Sequence, residues 1–186
     1  MRAEITNFGS DNLKIYSVIG TATGGSTDEL VQVGMLGEVG DQIENDIYKL
    51  MPLTESSKHV AMVATPEVDA DESKIEYNSL KGFKLQLGQV CDAVILAPHK
   101  KIAIEKDGIE GDGVASIKKG DYVFAKEGKR KLQHKTTVPE AISDKPLLVG
   151  KVESVVPATR GIFIGSTGGK NIALNYDLVN IRFIEK

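Results

Sequence analysis

The sequence predicts a mainly-β protein, a small barrel or sandwich of short strands joined by long loops, with little helix. Three observations carry that expectation. Apolar residues recur at every second position in several short runs, as in a strand with one buried face. Nineteen glycines punctuate 186 residues, against five Phe, five Tyr and no Trp, so turns are frequent and large aromatic anchors few. No stretch sustains the spacing of a long amphipathic helix.

Residues 1–27 read as an N-terminal arm or first strand with a flexible loop, and 28–186 as the β-rich domain, with two small subdomains meeting near 108–115 as a further option. In Met1 to Gly9, apolar Ile5 and Phe8 suit an arm that adds to a neighbour's sheet, and equally a frayed terminus. Asn12 to Val18 alternates as a strand. Gly20 to Asp28 is small and polar, a loop. Leu30 to Leu36 is the next strand, and Gly37 to Asp41 turns the chain. Gln42 to Leu53 fits a helical face through Ile43, Ile47, Leu50 and Met51, and also an edge strand ended by Pro52. The strand is preferred, because Pro52 arrives too early for a useful helix.

Lys58 to Pro66 is a strand with a proline stop, and the acidic stretch from Glu67 to Glu76 is a loop. Lys84 to Leu96 reads as a hairpin or bent strand pair with Gly88 at the bend, and Lys101 to Glu105 alternates cleanly. Gly108 to Gly113 is a loop, Ser116 to Ala125 a turn and strand, and Lys126 to Pro146 a long basic and polar connection. Pro146 to Pro157 is one long strand or two; Gly161 to Gly165 and Leu178 to Ile184 close the chain. A weak echo at Gly40-Asp41, Gly88-Gln89 and Gly120-Asp121 is turn grammar, in which Gly supplies positive φ and Asp bonds the local backbone.

Hydrophobic residues at 41% and charged residues at 26% describe an ordinary globular chain. A net charge of -3 with pI near 5.7 is not the balance of a dedicated nucleic-acid binder. The single Cys91 forms no internal disulfide and no thiolate cluster; it reads as a small buried side chain in a reducing compartment. The N-terminus shows no signal peptide, and no apolar run approaches the roughly 20 residues of a membrane helix, so a soluble chain made in a cytoplasm is expected.

His59, His99 and His134 have no metal-ligand spacing and read as turn or surface residues. Asp69 to Lys74 starts like a calcium loop, then places Lys74 where Gly is needed and Leu80 where Glu is needed. Gly165 to Lys170 imitates a phosphate loop but has Ile164 and Asn171 at the positions that should be Gly and Ser or Thr, so it reads as a loop between two strands. No nucleophile elbow exists, so no catalytic residue, metal or cofactor is expected. Lys126, Lys129, Arg130, Lys131, His134 and Lys135 form the one dense basic run. It reads as a solvated loop first and a contact to an acidic partner second, with nucleic acid least favoured for want of interleaved aromatics.

The order of these elements resembles the small head-associated structural proteins of tailed bacteriophages, the capsid decoration or cement proteins. The resemblance runs over about residues 28–156: Asp28 to Leu36, Glu44 to Leu50, Val60 to Glu67 leading into Asp69 to Glu72, Leu85 to Val90, Ile117 to Val123, and Val149 to Glu153. A family phrase G-D-x-F/I after the third hydrophobic run is here Gly88-Gln89-Val90. The resemblance implies a non-enzymatic virion protein on the capsid exterior. It would bind the major capsid protein and copies of itself, with no cofactor, no direct nucleic-acid contact and no membrane. Candidate interface residues are Ile5, Phe8, Lys126, Lys129, Arg130, Lys131 and Lys135. A head-fibre or tail component is the alternative in the same assembly, and a small bacterial β-barrel binding or accessory module is the alternative from another class.

Overall fold

Strands that alternate side chains can bury one face or both, and this chain does both. The computed structural model describes residues 3–4, 14–20, 31–64, 89–164 and 170–185. Its strands are β1 (Ala3–Glu4), β2 (Ile15–Gly20), β3 (Leu36–Glu44), β4 (Ile47–Met51), β5 (Val60–Val63), β6 (Cys91–Leu96), β7 (Lys101–Glu105), β8 (Ile109–Glu110), β9 (Tyr122–Ala125), β10 (Leu132–Lys135), β11 (Leu148–Ile164) and β12 (Lys170–Ile184). Helix among the described residues is limited to two 3₁₀ turns, Lys106–Gly108 and Val114–Ser116. The fold is mainly β, as the alternation and the glycines require.

Two sheets form. Strands β2-β4-β3-β5-β6 close into a barrel, sealed where β2 pairs parallel with β4 and antiparallel with β6. The second sheet has seven strands in the order β1-β7-β12-β11-β9-β10-β8. The chain passes from barrel to sheet over residues 97–100, where His99 turns at φ 68. The boundary expected near 108–115 falls inside the second sheet, at β8 and the 3₁₀ turns.

The two layers share one strand's worth of burial. All four residues of β5 are buried. Val60 and Met62 enter the core between barrel and sheet, with Ile102 and Ile104 of β7, Val123 of β9 and Ile181 and Phe183 of β12. Ala61 and Val63 point the other way, into the barrel with Val18, Leu50, Cys91 and Ala93. Cys91 is buried as expected, its Sγ 3.5 Å from the Val18 carbonyl.

Several boundaries differ from the sequence reading. Residues 31–35 are not strand: the chain turns at 33–34, with Gly34 at φ 85, and the strand begins at Leu36. Val31 and Val33 alternate because they plug the barrel, not because they pair. The turn expected at Gly37 to Asp41 lies inside β3. There Gly37 is needed for close approach: a Cβ would stand 2.7 Å from the Met51 carbonyl. The reversal comes later, at Asn45 (φ 31) and Asp46 (φ 66), the positive pair of a two-residue hairpin turn. Gln42 to Leu53 is therefore strand on both sides of a turn, with no helix. The basic connection from Lys126 to Pro146 contains β10. At Gly120-Asp121 the turn grammar holds: Gly120 is at φ 98, and the Lys118 N–H donates to Asp121 Oδ2 at 3.0 Å.

Gly150 on β11 marks the tightest packing in the second sheet. A Cβ there would meet Ile181 Cγ2 at 2.5 Å and the Phe183 ring at 3.2 Å. Gly150→Ala should overpack this site and lower the unfolding free energy by about 1–3 kcal/mol. Urea denaturation with an unchanged m-value checks it; a neutral result would mean that the core gives way more easily than its packing indicates.

Candidate interaction surface

Strand pairing brings scattered cations into one line. On the face of the second sheet turned away from the barrel, register aligns Lys101 of β7 with Arg182 of β12, Arg182 with Lys151 of β11, Lys151 with Tyr122 of β9, and Tyr122 with Lys135 of β10. Like charges opposite one another on a sheet repel. The row tolerates this through three devices. Lys151 Nζ lies 5.8 Å from the centre of the Tyr122 ring, a cation–π contact. Lys135 Nζ donates to Asp144 Oδ2 at 2.6 Å. Glu153 bridges Lys101 at 2.8 Å and Arg182 at 2.7 Å.

Glu153 can do so because it is the extra residue of a β-bulge. Val152 pairs with Ile181 and Ser154 with Asn180, leaving Glu153 out of register. Bulges re-aim a side chain in this way. The Lys101 hydrogen bond, with the charges of Arg182 and Lys119, holds the Glu153 carboxyl below its usual value against the opposing effect of burial.

Of the sequence-selected basic residues, Lys135 joins this row and Arg130 does something else. Arg130 Nη1 donates to the carbonyls of Leu36 at 3.1 Å and Met51 at 3.0 Å, while the Leu36 N–H donates to the Arg130 carbonyl at 2.8 Å. Beside it the Gly128 N–H reaches the Leu53 carbonyl at 2.9 Å. The turn between β9 and β10 is thus stitched to the barrel rim. Lys131 stands 3.7 Å from Glu110, Lys126 is half-buried and Lys129 is exposed. Ile5 and Phe8 lie outside the described residues, as do the acidic stretch from Glu67 to Glu76 and the loop 165–169.

His134, expected at a turn or the surface, is buried. Leu132 and His134 are the inward positions of β10, Gln133 and Lys135 the outward ones. His134 Nδ1 lies 2.7 Å from the Asp112 carbonyl, which only accepts, so Nδ1 carries hydrogen. Its Nε2 lies 3.0 Å from Asp121 Oδ2, with side chains 1% and 5% exposed. The alternation Leu132-Gln133-His134-Lys135 held the signal for this placement, masked by the neighbouring lysines. His59 and His99 are exposed as expected. Among the described residues no group of His, Cys, Asp and Glu is arranged to hold a metal ion.

Beside the cation row, residues 136–147 form a fastened loop. Asp144 Oδ2 accepts from the Lys135 ammonium and, at 2.7 Å, from the Glu140 N–H. These bonds hold its carboxyl below the usual range and raise Lys135. The Asp144 N–H returns to the Glu140 carbonyl at 3.0 Å, Ser143 Oγ donates to Glu140 Oε2, and Lys145 pairs with Glu55. The loop walls a groove of about 500 Å³ floored by Leu147, Val149 and Ile184. The same floor continues into a second groove of about 550 Å³, rimmed by Lys14, Lys58, His59 and Lys100.

The last feature is a ribbon. Strand β11 pairs with β9 only over Leu148 to Lys151, and β12 with β7 only over Leu178 to Arg182. Beyond those residues β11 and β12 pair with each other as far as Ile164 and Lys170. From Pro157 and Asp177 outward the described structure is a two-stranded ribbon with no third strand. Its base is locked by Glu153, by the Asn180 Nδ2 bond to Ser154 Oγ at 2.9 Å and by Lys106, which reaches Asp177 at 3.4 Å.

No family model, curated protein or solved structure matches this chain.

Two measurements test the polar contacts. A carboxyl held low in the folded state stabilises fully above its ordinary value of 4.5, and the gain fades as pH falls through the lowered value. Glu153→Gln should therefore be less stable than the native chain at pH 7, the gap closing as the pH drops below 4.5; a gap that persists in strong acid would assign the loss to packing. His134→Ala leaves the buried Asp121 carboxyl short of a hydrogen-bond partner and should cost about 1–3 kcal/mol in chemical denaturation.

Proposed function

We propose that this chain is a non-enzymatic structural protein that works by surface contact, as a decoration protein bound to the outer shell of a tailed-phage head. The observation that carries the reading is the β11–β12 ribbon. A two-stranded hairpin is marginal in water by itself. At a rise of about 3.4 Å per residue, the pairs from Pro157 to Ile164 reach roughly 25 Å past the sheet. An arm of this length spans from one subunit to the next, and its open strand edges suit backbone pairing with a neighbour. The cation row supports the same reading, since a sheet face carrying Lys101, Lys151 and Arg182 fits an acidic protein surface and steers its approach. The major capsid protein is the partner proposed, with further copies of this chain beside it.

A second reading, a small β-barrel binding module, is favoured by the groove beside the barrel with its basic rim of Lys14, Lys58, His59 and Lys100. The two readings place binding in different parts of the molecule. Replacing residues 158–176 with a two-residue Asn-Gly turn should leave the cooperative melt intact. On the decoration reading it abolishes co-sedimentation with expanded, DNA-free heads. Undiminished binding by the shortened chain would overturn the role of the ribbon, and no binding by the intact chain would overturn the head assignment.

A further inference from the structure

A protein that fastens a loop at several points and then shows isoleucine to water at its tip has spent conformational freedom on an exposed apolar group. That is the state of the 136–147 loop. Asp144 is bonded to Lys135 and Glu140, Ser143 to Glu140, and Lys145 to Glu55. Leu147, at the loop's end, donates its N–H to the Ala125 carbonyl at 2.9 Å. Held between these ties, Ile142 is 89% exposed and Val138 is 59% exposed. Rigid apolar anchors of this kind lose little entropy on binding and tend to fill pockets on a partner.

The pocket that fits stands next to the anchor. The groove of about 500 Å³ is walled by Val138, Pro139 and Ala141 of the same loop and floored by Leu147, Val149 and Ile184. Its volume takes the loop tip around Ile142 and exceeds the needs of one side chain. We infer that this face is a two-fold interface between copies of this chain, the Ile142 tip of each entering the groove of the other.

Two observations choose a second copy over a foreign partner. An anchor and its hole on one face are what a two-fold contact requires, because residue i of one copy meets residue j of the other and the reverse. The charges around the groove are also of both signs: Glu55 and Glu185 with Lys145, and His99 paired with Glu185 at 3.3 Å. A rim of mixed sign lets a two-fold set the Lys145 side of one copy against the Glu185 side of the other, where a strongly acidic or basic partner would meet like charge on one side. The apolar floor of Leu147, Val149 and Ile184 continues under the neighbouring groove of about 550 Å³, so the apolar contact surface extends beyond the first groove. The inference does not depend on the shell assignment, since it concerns a different surface from the ribbon.

Sedimentation velocity of the full chain from 1 to 200 µM tests it. A reversible dimer is expected, and Ile142→Asp should raise its dissociation constant about 100-fold or more. Because residue 142 is exposed, the variant should keep the native melting profile. Ala141→Phe, which fills the groove and keeps the anchor, should weaken the dimer as well. Mixing the two variants restores one of the two contacts and should give a heterodimer tighter than either homodimer. A chain that stays monomeric throughout the range overturns the inference, as does a dimer indifferent to Ile142→Asp.

Discussion

Everything in this molecule rests on a strand that is buried on both faces. Four consecutive apolar residues, Val60 to Val63, divide their side chains between the barrel interior and the core under the second sheet. Moving the strand by one register would exchange Val60 and Met62 with the small Ala61 and with Val63, and neither cavity would fill. The barrel and the sheet are therefore fixed against each other from within. Burial of this kind stabilises by roughly 25 cal/mol per Å² of apolar surface removed from water. Separating the layers would return that surface to solvent on both sides of β5.

A rigid pair of layers explains how irregular features keep their aim. The bulge at Glu153 directs a carboxylate between two cations because β7, β11 and β12 do not shift. The fastened loop stands on Leu147, Val149 and Ile184, which belong to or adjoin the second sheet. The buried pair of Asp121 and His134 closes the inner face where β10 runs out of apolar residues. Polar groups at such depth are tolerated because each meets a partner, Asp112 and Lys118 completing the set through their main chains.

Fold class was legible because alternation and glycine turns are local signals. Strands β2 and β7 sit in the short alternating runs that place them, and β5 and β9 in short apolar runs bounded by turn residues. Boundaries were less legible where burial came without pairing. Val31 and Val33 carry a strand's pattern outside any strand, and Gly37 looks like a turn while serving close packing in a strand. Of the surface, the sequence showed the dense run at 126–135 and concealed the row formed by Lys101, Lys151 and Arg182, which exists only through pairing of distant strands. It also concealed that Arg130 is occupied by two barrel carbonyls. Charge density along a chain does not reveal which charges face outward.

The stitch at Arg130 bears on the order in which the protein is made. Every strand of the barrel lies within residues 15–96, so a ribosome delivers the whole barrel before the β9–β10 turn exists. The rim carbonyls of Leu36 and Met51 then wait for a guanidinium 94 and 79 positions downstream. The nascent barrel closes its ladder early and carries an unfinished rim, together with the bare outer side of β5, until the C-terminal half arrives. Contacts so distant in sequence slow folding and lengthen the time that sticky surface stays open. The half-made chain is the stage at which the apolar outer side of β5 is most open to aggregation.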